Sequence, residues 1–259
     1  MTANWIVVDQ PQLRQRLRQL GLDEALFAGY WSGEQSGDAE PQAVLEYRDG
    51  VLQLRPLDRR WGHPLVVDFG QGRSGFRMAR AHHEMLVKAV TGRARDPLRV
   101  VDATAGLGRD TMLLGAAGFQ VTAIERHPLV AGLLSDGLER ARLQAESAPV
   151  AERVELVVGR AQALLETWPP ASRPDVVYLD PMFPARSKAA LVKKEMRLFG
   201  QLLGEDMDSA SLLPPALAAA TRKVVVKRPR KAPPLGGQEP GYRIEGKSSR
   251  FDVYPVTPG

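Results

Sequence analysis

Val100-Val101-Asp102-Ala103-Thr104-Ala105-Gly106-Leu107-Gly108-Arg109-Asp110 is the stretch from which the fold can be read. A short apolar run ends in an acidic residue, crosses a turn of small residues and opens a helix-forming segment. Small residues between a strand and a helix let a ligand approach the backbone closely, and in open parallel sheets ligands bind at the carboxyl ends of strands. The spacing Gly106-x-Gly108-x-x-Thr111 lacks the third glycine of the dinucleotide fingerprint. Asp102 and Asp110 flank the turn. Carboxylates there repel a pyrophosphate but favour an ammonium or sulfonium group, which points away from a nicotinamide dinucleotide and toward S-adenosylmethionine.

Outward from this turn, short apolar runs alternate with helical stretches. Strands are expected at 99–103, 120–125, 153–158, 175–180 and 223–227. Helices are expected at 109–117, 128–145, 160–167, 188–203 and 212–220. Strand–helix alternation of this kind argues a parallel, doubly wound sheet. Residues 242–247 and 251–256 read as a closing antiparallel hairpin, more typical of a methyltransferase sheet than of a dehydrogenase. Upstream, 5–8 reads as a strand and 12–20 as a helix with Leu13, Leu17 and Leu20 on one face. Segments 43–48 and 51–55 flank Asp49-Gly50, a strong type I′ hairpin signal. A further strand is expected at 65–69, a loop at 70–75 and a helix at 79–90. The expected organisation is a small N-terminal α+β subdomain (1–75) followed by a Rossmann-like domain (76–259).

Composition sets the outer limits. The chain has 259 residues, 44% hydrophobic and 25% charged, so a sizeable core can form. It has no cysteine and only four histidines. Thiol catalysis, disulfides and zinc–thiolate sites are excluded, and no metal is expected. No apolar run approaches the roughly 18–20 residues of a membrane helix, and no secretory signal precedes the first strand, so a cytoplasmic protein without a membrane partner is expected. The net charge is +5, but it is unevenly spread. Residues 1–50 and 101–180 each sum to −4, whereas 51–100 sum to +6 and 181–259 to +7. Basic segments around an acidic centre suit a polyanionic partner beside a separate small-molecule site.

Two further stretches carry chemistry. Val121-Thr122-Ala123-Ile124-Glu125-Arg126 ends a strand about 20 positions past the glycines, where an acidic residue accepts both hydroxyls of an adenosine ribose. Val176-Val177-Tyr178-Leu179-Asp180-Pro181-Met182-Phe183-Pro184 ends a strand in Asp-Pro-x-aromatic. It is similar to the Asp/Asn-Pro-Pro-Tyr/Phe motif of enzymes that methylate planar amino nitrogens. Such an amine is a poor nucleophile because its lone pair is delocalised into the ring. Asp180, with a main-chain carbonyl at Pro181, could accept its hydrogen bonds and aim the lone pair. Phe183 could stack on the base, worth ~1–3 kcal/mol. Lys193, Lys194, Lys227, Arg228 and Arg230 gather cations near the same sheet edge, as phosphate contacts would.

At these residues the chain resembles the RsmJ family of bacterial S-adenosylmethionine-dependent 16S ribosomal RNA guanine-N2 methyltransferases. The anchors are residues 101–110, 178–184, Ala190-Leu191-Val192-Lys193-Lys194-Glu195-Met196-Arg197, Val224-Val225-Val226-Lys227-Arg228-Pro229 and Arg250-Phe251-Asp252-Val253-Tyr254. The likeness runs from about residue 65 to the C-terminus. It implies a class I methyltransferase fold and makes Met182 an expected residue. It also implies cofactor contacts at Arg109-Asp110, Glu125-Arg126, Arg160-Ala161 and Asp180, beside Asp102, Gly106 and Gly108 of the turn. Relatives carry small hydroxyl residues where this chain has Arg160-Ala161, which leaves a main-chain contact to adenine. The implied partner is 16S ribosomal RNA or the small ribosomal subunit. The expected chemistry is direct in-line transfer, with Asp180 orienting the amine. Alternatives are another amine substrate (adenine N6 or a protein glutamine), a nicotinamide-dependent oxidoreductase, and a ribosome-assembly factor that keeps the fold without turnover.

Overall fold

A computed structural model describes residues 5–32, 41–70, 78–181 and 209–256. The small N-terminal sheet contains β1 (Trp5–Val7), β2 (Ala43–Arg48) and β3 (Val51–Pro56). β1 lies parallel to β2, reached through helix α1 (Pro11–Gln19), and β2 turns back antiparallel into β3. Asp49 and Gly50 have φ of 53° and 81°, the pair of positive values that a type I′ turn demands.

The large sheet contains β4 (Arg99–Asp102), β5 (Gln120–Glu125), β6 (Val154–Val158), β7 (Val176–Leu179), β8 (Lys223–Pro229), β9 (Tyr242–Glu245) and β10 (Ser249–Pro255). Their spatial order is β6-β5-β4-β7-β8-β10-β9. The first five run parallel, and β10 is antiparallel to both β8 and β9. This is the doubly wound sheet with a closing hairpin that the alternation predicts.

The apolar runs are continuous because both sheet faces are covered. Val176 and Tyr178 of β7 join one hydrophobic cluster, while Val177 and Leu179 join the other. The first face is covered by α2 (Met85–Thr91), α3 (Arg109–Ala116) and α4 (Pro128–Arg142). The second is covered by α6 (Ala161–Glu166) and α7 (Leu213–Ala219), which pack on each other. A single turn, α5 (Ala148–Ala151), leads into β6.

The small sheet packs on the outer side of α4, and its Trp5, Leu45 and Leu54, with Phe27 of the preceding turn, are continuous with Leu129, Leu133 and Leu138. The segment after the sheet can approach α4 closely because position 137 is glycine. A Cβ there would lie 2.4 Å from Val67 Cγ1, inside any tolerable contact. Asp136 pins the arrangement with no exposed surface. Its carboxylate accepts hydrogen bonds from Arg16 Nε at 2.8 Å, Arg140 Nε at 2.8 Å and the Leu52 N–H at 3.2 Å.

Three expected elements differ. Segment 65–69 is not a strand, since it makes only the single bridge Leu54–Leu65 and is held instead by α4. The helix expected over 79–90 is split into a short turn (Ala81–His83) and α2, because Glu84 takes an extended backbone and caps α2. Two adjacent histidines of modest helix propensity precede the break. α4 stops at Arg142, three residues before the expected end. The helix expected over 188–203 lies outside the described residues.

Candidate active site

The sheet order reverses at β4, whose neighbours are β5 on one side and β7 on the other. The crevice beyond their carboxyl ends is the topological switch point, where open α/β sheets bind ligands. Both decisive motifs open there. The turn after β4 carries Gly106 and Gly108, and the strand β7 delivers Asp180. Gly106 and Gly108 have φ of 54° and 75°, in the left-handed region that favours glycine. They differ in surroundings. Among the described residues, a Cβ on Gly106 would meet only the Thr104 carbonyl oxygen, at 3.9 Å. A Cβ on Gly108 would lie 2.5 Å from Leu134 Cδ1 and 3.0 Å from Phe69 Cζ, so core packing, not a ligand, requires that glycine.

The Thr104 hydroxyl ties the two motifs together by accepting a 2.6 Å hydrogen bond from the Asp180 N–H. Asp102 is buried beneath the turn. Its carboxyl accepts from Thr111 Oγ1 at 2.6 Å and from the Thr104 N–H at 3.3 Å. It therefore shapes the turn from below, and the carboxylates on the β7 side of the crevice are Asp110 and Asp180. Lys227, in the neighbouring β8 one residue past the Val226–Leu179 pairing, places its ammonium between them. Nζ lies 2.8 Å from Asp110 Oδ2 and 2.7 Å from Asp180 Oδ2. The buried Tyr178 hydroxyl donates to the same Asp110 oxygen at 2.8 Å.

Burial pushes the Asp102 carboxyl up to about 7, with Asp110 and Asp180 adding repulsion and Thr111 opposing. With Asp102 set beneath the turn, Asp110 and Asp180 place two carboxylates against the single Lys227 ammonium, one negative charge in excess. S-adenosylmethionine carries a sulfonium, an ammonium and a carboxylate, one positive charge in excess, so the residues present fit it. A dinucleotide pyrophosphate would add charge of the wrong sign.

A stability consequence follows from the same burial. An unfolded aspartate releases its proton near ~3.9, whereas folded Asp102 holds it until about 7. Between these values the folded state binds one proton more than the unfolded state, so unfolding free energy falls as pH rises through that window and levels off above it. Asp102→Asn should remove about 2–3 kcal/mol of the wild-type loss between about pH 5 and about pH 8. Urea unfolding of both proteins at the two pH values measures it, and an unchanged difference would show that Asp102 ionises freely in the folded protein.

On the other side of the crevice, Glu125 ends β5 and is half-buried. Its carboxylate accepts from the Gly106 N–H at 3.0 Å and the His127 N–H at 2.8 Å, which fixes the side chain beside the glycine turn. Burial raises its pKa while these N–H donors oppose the rise. A carboxylate has roughly four acceptor sites, so it keeps capacity for a ribose hydroxyl beside the backbone N–H donors. Arg126 is exposed just beyond it. Arg160 is exposed and caps α6, while Ala161 is buried as the first residue of that helix. Arg109 is exposed at the start of α3, and Pro181 is buried beside Asp180. Phe183, Lys193 and Lys194 lie outside the described residues.

The basic group expected to meet phosphates needs correction at two positions. Lys227 is held inside the crevice by two carboxylates. Arg228 is only 5% exposed, and its Nε and guanidinium nitrogen donate to the Pro233 carbonyl at 3.1 and 2.9 Å. A guanidinium spent on a buried carbonyl cannot reach solvent phosphate without unfolding its loop. Arg230 is exposed, 3.5 Å from Glu245. Buried Arg250 braces the same loop by donating to the carbonyls of Arg230 and Ala232, both at 2.7 Å. Reasoning from sequence missed Thr104, Tyr178 and the true place of Lys227. The available signal was position, because Lys227 directly follows the apolar run Val224-Val225-Val226, at the end of a strand where ligands gather.

The comparisons agree with this geometry. A family model described as a putative SAM-dependent methyltransferase matches residues 32–256. Ribosomal RNA small subunit methyltransferase J of Ectopseudomonas mendocina is 50% identical over 218 residues, 83% of this chain and 84% of that protein. Its namesake in Pseudomonas aeruginosa is 46% identical over 256 residues, 96% of this chain and 97% of that protein. The crystal structure of a SAM-dependent methyltransferase from Neisseria gonorrhoeae superposes with a TM-score of 0.67 at 35% identity, covering 96% of this chain and 95% of that one. The likeness thus reaches well before residue 65 and takes in the small sheet. With this fold, this crevice and this identity along nearly its whole length, the chain belongs to the ribosomal RNA small subunit methyltransferase J family of SAM-dependent methyltransferases.

Proposed function

We propose that the protein methylates the exocyclic N2 of a guanosine in 16S ribosomal RNA, acting on that RNA or on the small ribosomal subunit in the cytoplasm. The observation that carries the reading is Asp180. Its side chain keeps 37% of its surface open at the switch point, held from behind by Lys227, in a chain 46–50% identical to small subunit RNA methyltransferases. S-adenosylmethionine supplies a methyl group on a sulfonium whose charge makes the thioether a good leaving group.

The chain's own residues then account for the rest. Glu125 and the backbone around Gly106 hold the adenosine end. Asp110 and Asp180 complement the positive charge. Asp180 accepts a hydrogen bond from the guanine N2 amine, which turns the nitrogen lone pair toward the methyl carbon. As the N–C bond forms and the S–C bond breaks, positive charge grows on the nitrogen, and a carboxylate at hydrogen-bond distance stabilises it. The charged product then passes one amine proton to solvent water, directly or by way of the Asp180 carboxylate, and S-adenosylhomocysteine leaves as the neutral thioether. Arg230, exposed on the loop after β8, supplies phosphate attraction.

The test is transfer of labelled methyl from S-adenosylmethionine to small subunits lacking the modification, with naked 16S RNA in parallel, followed by digestion to nucleosides. Label in N2-methylguanosine is the expected result. Label in N6-methyladenosine or in protein would overturn the substrate assignment, and no label in the presence of bound cofactor would overturn catalysis.

A further inference from the structure

Asp110 and Asp180 share one ammonium, and nothing in the proposed chemistry so far gives Lys227 a task. We infer that Lys227 is a positioning residue for methyl transfer: its ammonium, anchored on Asp110, keeps the Asp180 side chain an ionised acceptor aimed at the substrate amine. The inference rests on the reading of Asp180 as the residue that faces that amine.

The geometry supports a fixed post, not a mobile surface lysine. Lys227 is 30% exposed, and Nζ is held by two carboxylate oxygens at 2.7 and 2.8 Å. The anchoring side is rigid, because Asp110 also accepts from Tyr178, which is fully buried in β7. β7 and β8 are paired in parallel, Leu179 opposite Val226, so the backbone sets Asp180 and Lys227 side by side just past the end of β7. Asp180 is fixed at its own N–H by Thr104, which leaves the carboxylate direction to Lys227.

The electrostatics define the task. Among the described residues, the charged and titratable groups around Asp180 are Lys227 from β8, Asp110 from α3, Asp102 from β4 and Tyr178 from β7. Burial raises the Asp180 pKa above the ordinary carboxylate value, Lys227 opposes the rise, and Asp110 adds to it. Burial also works against the Lys227 charge, but Asp180 and Asp110 overcome it and raise the lysine above its ordinary value. Lys227 is thus a permanent cation, and among the described residues it is the group that favours the Asp180 anion. Without it burial and Asp110 push the carboxyl further toward its neutral form, a weaker acceptor for the substrate amine. A lysine engaged in this way is not free to contact phosphate.

The experiment compares pH profiles of turnover, with cofactor and RNA saturating, for wild type, Lys227→Met, Lys227→Arg and Asp180→Ala. In Lys227→Met the acid limb should move upward by about 1–3 pH units, the effect of removing one adjacent opposite charge. Turnover should fall about tenfold for each unit by which the limb passes the assay pH and should recover on the alkaline side. Lys227→Arg keeps the cation and should move the limb less. A uniform loss at every pH, or no loss, with Asp180→Ala inactive would overturn the inference. Normal turnover by Asp180→Ala would instead overturn the reading of Asp180. Should Lys227→Met fail to fold, carbon-13 carboxyl spectra of wild-type protein decide the matter, with Asp180 assigned by Asp180→Asn. An ionised Asp180 at neutral pH is expected, and a protonated one would overturn the inference.

Discussion

Asp180→Ala is expected to lower turnover by about 10²–10³-fold, the scale for losing one preorganised polar contact to the group on which charge develops. The cofactor should still bind, because Glu125 and the glycine turn are held by their own hydrogen bonds to Gly106 and His127. Asp180→Asn should fall between alanine and wild type. Its amide oxygen keeps one acceptor for the amine but loses the negative charge that balances Lys227. Single-turnover methyl transfer measures the chemical step, and calorimetric titration with S-adenosylmethionine measures binding. Alanine turnover equal to wild type, with binding intact, would remove Asp180 from the chemistry. A parallel collapse of binding would instead make it chiefly a cofactor residue.

Asp136→Ala is expected to cost the largest amount of stability, about 3–5 kcal/mol, as when one partner leaves a buried ion pair. The carboxylate has no exposed surface and serves Arg16 from α1, Arg140 from its own helix and the Leu52 N–H of β3. Removing it leaves two guanidinium groups and a buried N–H without that acceptor. Arg16 also lies over the Tyr47 ring at 5.9 Å, so its displacement would disturb β2 as well. The midpoint of thermal unfolding should fall on the order of 10 °C. Asp136 takes no part in the crevice, so methyl transfer well below the transition should change little. A midpoint within a degree or two of wild type would show that the small sheet is held on α4 by apolar packing alone.

Much of the fold was legible because two kinds of signal are local. The apolar runs of β4, β5, β7 and β8 are buried on both faces, so their residues had to be apolar whatever their neighbours. Turns at Asp49-Gly50 and Gly106-x-Gly108 require positive φ, which few residues accept. Segment 65–69 misled because its apolar pattern meets a helix, α4, and not a sheet. The 79–90 helix misled because a capping break at Glu84 leaves the apolar spacing intact.

The site divides along the same line. From sequence alone came the glycine turn, Glu125 and Asp180, since each ends a strand and the carboxyl ends of strands form the ligand crevice in this architecture. The order of strands came only from the tertiary structure, and with it the neighbours of each end. It set Lys227 beside Asp180 although 47 residues separate them, and Tyr178 under Asp110 across 68. It also sealed Arg228 onto Pro233. A sequence states which residues carry charge. Whether a lysine meets a phosphate or a carboxylate depends on which strand lies next to its own, and pairing between distant segments determines that.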